Sequence, residues 1–308
     1  MIPGKMNAIR LKKATGPAGL VYEQVDVPDP KAGEALVQVH AAAITRDELE
    51  WPVNRLPAIP SYEFSGVVST VGPDVDNISA GEAVFALSTF DREGAAAEYI
   101  VVSKLFLAPK PKTIEHIEAA SIPLAALTAW QGLFEYGQLE KGQRVLIHGA
   151  TGGVGYFAVQ LAGQMGAHVI GTVSTMNISA AKMLGMDEII DHTKTRFEQA
   201  AGEVDLVFDT VGGERLERSH SVVRKGGRLV SIASEPSQEQ ARVRGIEAIY
   251  FVVQPNGEQL SELAKLVDDG KLQTMIDKVY PLANAREAFE RSLTAHTAGK
   301  IVLYIASK

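Results

Sequence analysis

Between Arg144 and Gly155 an apolar run, Val145-Leu146-Ile147, leads into a segment with glycine at 149, 152, 153 and 155, and an amphipathic stretch follows to Met165. Residues without side chains let a main chain approach a bulky anion. The N-terminus of a helix beginning there adds partial positive charge, a combination suited to a pyrophosphate. Counted against the dinucleotide fingerprint G-x-G-x-x-G, the first position is Ala150, the second Gly152 and the third Gly155, one departure in three. The expected cofactor contacts are Ala150, Thr151, Gly152, Gly153, Val154 and Gly155. A tight strand-to-helix turn with no ligand also needs glycine, but it seldom needs three further glycines around one helix start.

A second strand pattern begins near His168 and ends at Gly171-Thr172-Val173-Ser174-Thr175. Sites that prefer NAD place an Asp or Glu at that end, about 20 residues past the glycines, against the ribose 2′-hydroxyl. None stands here, so nothing repels a 2′-phosphate, and Ser174, Thr175 and Asn177 are expected to donate hydrogen bonds to it. The only candidate cations nearby are Lys182 and His192. The expected cofactor is NADP(H).

These residues need a scaffold. The chain has 308 residues, 46% apolar and 22% charged, enough to bury a sizeable core and too apolar for disorder. Thirty basic against 37 acidic residues give a net charge of −7, which argues against a nucleic-acid partner. The absence of cysteine removes disulfides, thiolate catalysis and any Cys-ligated metal. No run of about 18 apolar residues occurs, so no membrane span is expected, and the opening residues carry no secretory pattern. A cytoplasmic protein is expected.

Up to about Pro109 the pattern is of short strands, at Leu36–His40, Gly66–Val71, Ala83–Leu87 and Glu98–Val102, separated by glycine and proline turns. A small β-barrel or sandwich is expected. From Ile117 to Tyr136 the chain reads as one long buried helix. Thereafter apolar strands alternate with helices, which implies a doubly wound parallel sheet. The tail carries two amphipathic helices, Gln259–Val267 and Ala283–Leu293, and a last strand at Lys300–Tyr304 able to return to the first domain. The expected fold is α/β with a second, mostly β domain: residues 1–118 and 256–308 against 119–255. The apolar segment Ile246–Val253 would be an exposed sheet edge, an invitation to pairing.

Several ordered segments resemble the medium-chain dehydrogenase/reductase superfamily, and within it the zinc-independent quinone oxidoreductase branch. They are Val39–Ile44, Tyr62–Val68, Ala97–Tyr99, Ala125–Trp130, the glycine loop, Phe208–Gly213 and Gly299–Leu303. The resemblance implies a GroES-like catalytic domain, a Rossmann domain, an active-site cleft between them and a homodimer. It also places Thr128, Thr210 and Val211 near the cofactor. Where zinc-dependent relatives hold their metal, this chain aligns Ile44, Tyr62 and Leu124, and two aliphatic side chains with a phenol cannot make a tetrahedral zinc site. Many quinone reductases of the branch carry an Asn-x-x-Asp-x-Tyr element. The corresponding stretch here, Ile44–Leu49, has lost both the Asn and the Tyr.

Hydride chemistry belongs to the nicotinamide, so the protein must place the acceptor and stabilise developing charge. A quinone, an enone or another activated carbonyl suits a metal-free site better than an alcohol does. Tyr62 and Arg46 are the candidate catalytic donors. Against them stand a packing role for Tyr62 and an ion pair of Arg46 with Asp47, Glu48 or Glu50. Trp51, Phe90 and Phe251 are candidate walls for a flat substrate. Glu63 has no assigned role, and His40, His116, His148, His168, His220 and His296 have no ligand spacing. The alternatives are an alcohol or aldehyde oxidoreductase, or an NADPH-binding sensor without catalysis.

Overall fold

A computed structural model describes residues 2–294 and 299–305, so His296 lies outside the described residues. In chain order the strands are β1 (Lys5–Leu11), β2 (Leu20–Asp26), β3 (Glu34–Ile44), β4 (Glu63–Val71), β5 (Ala83–Leu87), β6 (Tyr99–Ser103) and β7 (Leu107–Pro109). They continue as β8 (Arg144–His148), β9 (His168–Val173), β10 (Glu188–Asp191), β11 (Val204–Asp209), β12 (Val223–Ser231) and β13 (Glu247–Tyr250), then β14 (Ile276–Pro281) and β15 (Lys300–Tyr304). Two compact units result. One comprises the residues up to Leu124 with Gln254–Gly270 and those from Thr274 on, the other Ala125–Val253 with Lys271–Gln273. The tail segment Lys271–Gln273 joins the second unit because Gln160 bonds both the N–H and the carbonyl of Gln273, at 2.8 and 3.2 Å.

The first unit is a β structure organised on β3, whose 11 residues are all buried except the half-buried Glu34, Gln38 and His40. The sheet runs β14-β15-β3-β4-β5-β7, with β6 also on β3. Two register shifts along the β3–β4 pair bend the sheet, and β1 and β2 form a separate hairpin, which the strand pattern did not disclose. The closing strand does return: β15 lies antiparallel to β3, with Ile301 opposite Ile44 and Tyr304 opposite Ala41. The apolar core collects Val37, Val39, Phe64, Val84 and Ile100, with a second cluster around Ile9, Leu11, Phe289 and Leu303.

In the second unit six parallel strands are ordered β10-β9-β8-β11-β12-β13. The order reverses between β8 and β11, the crevice position where doubly wound sheets bind ligands. Val145, Leu146 and Ile147 are all fully buried, as a strand covered on both faces requires.

Two elements differ from expectation. The stretch 117–136 is not one helix but helices His116–Ala120 and Pro123–Trp130 followed by a π-helical segment, Gln131–Tyr136. Pro123 has no N–H to continue the first helix and starts the second. The edge strand is only Glu247–Tyr250, not the whole apolar segment. Among the described residues no helix is long and apolar enough to cross a membrane.

Candidate active site

The glycine turn joins β8 to a helix, Gly153–Met165, that starts without a side-chain cap at Gly152. Gly149 has φ +70°, and a Cβ there would stand 2.6 Å from the Thr210 hydroxyl. A Cβ on Gly155 would meet the Gly149 carbonyl oxygen at 2.1 Å, so the helix can pack this close only on glycine. Ala150, the departure from the fingerprint, is fully buried and donates its N–H to the Thr172 carbonyl. Its methyl is accommodated because the facing residue is Gly171. Thr210 at the end of β11 donates to the His148 carbonyl at 2.8 Å, and Val211 beside it is 45% exposed. The turns after β8 and β11 therefore meet at the switch point, an open main-chain cradle that fits a pyrophosphate. Thr128 is buried in its helix, and Thr151 is buried in the turn.

Under this cradle His148 lies fully buried. Ser219 gives its hydroxyl proton to the Arg215 carbonyl, so the His148 Nε2–H donates to Ser219, and Nδ1 accepts from Thr172. That pairing uses a neutral imidazole, and burial pushes its pKa down to about 3.

Past β9 the polar residues have partners within the unit. Thr175 spends its proton on Asp191, at 2.5 Å, and the Thr193 hydroxyl and N–H also donate to that carboxylate, at 2.7 and 3.0 Å. These bonds hold Asp191 down at about 2. Thr175 thus offers a phosphate lone pairs rather than a proton. The carboxylate that the end of β9 lacks arrives from the end of β10, where Asp191 pairs in register with Val173. Burial lowers the pKa of His192 below its ordinary value, as does the neighbouring Arg215 charge, which disfavours the charged imidazole. Ser174 begins a single 3-10 turn, Thr175–Asn177, without a side-chain cap bond.

In the first unit Trp51, Tyr62 and Phe90 form one aromatic cluster, with centroids 5.7, 4.9 and 5.3 Å apart for Trp51–Tyr62, Trp51–Phe90 and Tyr62–Phe90. Tyr62 is fully buried in it, whereas Trp51 is 38% exposed. Arg55 reaches the Tyr62 hydroxyl at 3.4 Å, and burial pushes that phenol up to about 12. Tyr62 thus packs in this cluster with one polar contact, to the Arg55 guanidinium. Phe251 lies in the dinucleotide unit, 5% exposed and stacked on Tyr136 at 4.4 Å. Arg46 makes none of the expected ion pairs; its guanidinium donates to the Leu293 carbonyl at 3.0 Å, near the C-terminal end of helix Ala285–Thr294.

Ile44, Tyr62 and Leu124 are 3%, 0% and 7% exposed, none with a metal-binding group of the zinc type. Among the described residues no group of three or more His, Cys, Asp or Glu side chains could hold a metal ion. Instead three ionisable groups are buried together. Lys300 Nζ lies 2.5 Å from Glu63 Oε1 and donates to Thr45 Oγ1 at 3.1 Å, while Glu63 Oε2 accepts the Leu124 N–H at 2.9 Å. Glu48 accepts from the N–H groups of Thr45 and Ser61, at 3.0 and 3.2 Å, and burial pushes its pKa up to about 8. Sequence reading missed Glu48, Lys300 and Arg55. The one available signal was Lys300, a lysine heading an otherwise apolar strand.

Residues 31–112 match the alcohol dehydrogenase GroES-like domain, and residues 184–303 match the zinc-binding dehydrogenase family. A "probable zinc-binding oxidoreductase, mitochondrial" of Arthroderma benhamiae is 32% identical, each chain covered to 90%. The "NADPH-dependent alkenal/one oxidoreductase, chloroplastic" of Arabidopsis thaliana is 31% identical over 90% of this chain and 74% of its own. The solved structure of the quinone oxidoreductase from Coxiella burnetii superposes with a TM-score of 0.91 at 32% identity, covering 98% of this chain and all of that one. Fold, cradle and relatives together define a nicotinamide-dependent oxidoreductase architecture. The chain belongs to the quinone oxidoreductase branch of the medium-chain dehydrogenase/reductase superfamily.

Proposed function

We propose that this oxidoreductase takes NADP(H) and transfers hydride to a quinone, an enone or another activated carbonyl acceptor without zinc. The observation that carries the reading is the contrast between an intact cofactor cradle and a metal position occupied by Ile44, Tyr62 and Leu124. The bound nicotinamide supplies the hydride. The chain's own residues hold and orient. Main-chain N–H groups at the helix start, Gly153, Val154 and Gly155, receive the pyrophosphate over the turn made by Ala150, Thr151 and Gly152. Thr128, Thr210 and Val211 line the nicotinamide side, and Ser174, Thr175, Asn177 and His192 border the adenosine. Trp51 and Phe90 offer a flat face to the acceptor. Arg46 and the Arg55-bonded Tyr62 supply donors toward an acceptor oxygen.

NADPH is favoured because no carboxylate ends β9, and a relative of this branch is named as NADPH-dependent. Asp191 works against a 2′-phosphate, so the preference over NADH is modest. The protein pairs as a homodimer along β13 and the residues just past it, where Tyr250 and Val252 are 40% and 50% exposed; a purely monomeric sedimentation profile would exclude that. The decisive assay follows NADPH and NADH absorbance against a panel of quinones and enones in chelator. Acceptor-dependent oxidation that survives the chelator supports the reading. Activity that appears only with added zinc sinks it.

A further inference from the structure

The loop Thr45–Ser61 leaves β3 and returns just before β4, carrying Trp51 and Arg55 with Arg46 at its root and Tyr62 at its exit. Both of its ends are tied to one side chain: Glu48 accepts the Thr45 N–H through Oε2 and the Ser61 N–H through Oε1. Ser61 sits in the left-handed region at φ +66°, which a non-glycine residue occupies only when its surroundings hold it there. Its hydroxyl is bonded in turn to the Ala43 carbonyl at 3.1 Å. Lys300 secures the same point from the last strand, touching Thr45 and Glu63. Glu48, Glu63 and Lys300 are 1%, 0% and 7% exposed. Burying such groups is costly unless each is paired, and here the pairs all converge on the mouth of one loop.

We propose that Glu48 is the positioning residue of the acceptor site: with Lys300 and Glu63 it forms a buried clasp that pins both ends of the 45–61 loop and so sets where Arg46, Trp51 and Tyr62 stand. The assignment of that loop to the acceptor rests on the function proposed above. The clasp itself does not. Glu48 touches no reacting atom and contributes only through the loop it holds. A carboxylate suits the task because its two oxygens can accept from two ends of the chain at once. Lys300, reaching in from β15, pairs with Glu63 and donates to the Thr45 hydroxyl at the same loop mouth.

The test uses the full chain in a Trp130→Phe background, which leaves Trp51 the sole tryptophan. Glu48→Ala removes both acceptors. Acrylamide quenching of Trp51 should rise about twofold or more, and the acceptor KM about tenfold, with NADPH Kd within about twofold, the pattern of lost acceptor placement rather than lost chemistry. Glu48→Gln keeps one oxygen to accept and should fall between. A folded Glu48→Ala protein with unchanged Trp51 quenching and unchanged acceptor KM overturns the proposal. If Glu48→Ala does not fold, the double variant Lys300→Met/Glu63→Gln removes the compensating charge pair together. Raised Trp51 quenching in it supports the clasp, and wild-type quenching overturns it. Should no acceptor be turned over by the unaltered protein, the functional reading fails, and the Trp51 signal still decides the clasp.

Discussion

The glycine turn at 149–155 and the loop at 45–61 both present polar groups from within an apolar core, and they do so by opposite means. The turn uses main chain: its polar groups are N–H and C=O, and its shape depends on atoms that are missing, since a Cβ at Gly155 would strike the Gly149 carbonyl. The loop uses three ionisable side chains, each under a tenth exposed, and its shape depends on atoms that are present. A site of the first kind is broken by adding a methyl group. One of the second kind is broken by taking a charge away.

That contrast sets an order of effects. Glu63→Ala should be the most damaging, because it removes the carboxylate that pairs with the Lys300 ammonium, leaving it the Thr45 hydroxyl, and that accepts the Leu124 N–H. Loss of one partner of a buried pair costs about 3–5 kcal/mol. Urea unfolding would show it, and a loss under 1 kcal/mol would mean that water reaches the pair. Gly155→Ala should cost about 1–3 kcal/mol of stability by overpacking. It should also weaken NADPH by up to about 100-fold if the strain falls on the cradle, on the scale of 1.4 kcal/mol per tenfold. Wild-type affinity measured by fluorescence titration would show that the helix start moves freely.

The two regions should also answer pH with opposite sign. His148 is neutral in the fold, its pKa lowered to about 3 from 6.5, so the unfolded chain binds more protons between those values. Its contribution is present above pH 6.5 and is lost as pH falls, by at most about 1.4 kcal/mol per pH unit. Glu48 has its pKa raised to about 8 from 4.5, against the burial of its own charge and the neighbouring Glu63, with Lys300 opposing. The folded state binds the extra proton there, so stability from Glu48 declines as pH rises from 4.5 through 8. Hydrogen exchange read segment by segment should show β8 weakening toward acid and the 45–61 loop weakening toward alkali. Matching trends in both segments would erase the distinction. The smallest effect is expected of Arg46→Ala. An exposed guanidinium on a helix C-terminal carbonyl is worth about 0.3–1 kcal/mol, visible in high-precision thermal melts and diminished by salt.

What could be read in advance follows the same line. The dinucleotide unit was legible because its chemistry is local: apolar strand, glycines and helix occupy consecutive positions, and steric exclusion at Gly155 shows in the sequence as a missing side chain. Even the substitution at Ala150 was visible, though its remedy at Gly171 was not. The aromatic residues Trp51, Tyr62 and Phe90 were each singled out, yet nothing in their spacing said that they pack on one another. Phe251, chosen by the same reasoning, stacks on Tyr136 in the other unit. Asp191 escaped notice because it stands beside Thr175 only once β10 has paired with β9.

The sequence by itself determined the alternation of strand and helix, the glycine-rich strand-to-helix turn, the absence of thiol chemistry and the non-ligating residue types at Ile44, Tyr62 and Leu124. Each depends on residue type and on neighbours a few positions away. Only the tertiary structure decided the partners of Glu48, Glu63 and Lys300, because 252 positions separate Glu48 from Lys300. A charge in a sequence has no visible counter-charge until β15 returns to lie against β3. Burial then makes pairing matter, since an ion removed from water without its partner costs a large part of the small net stability of a fold.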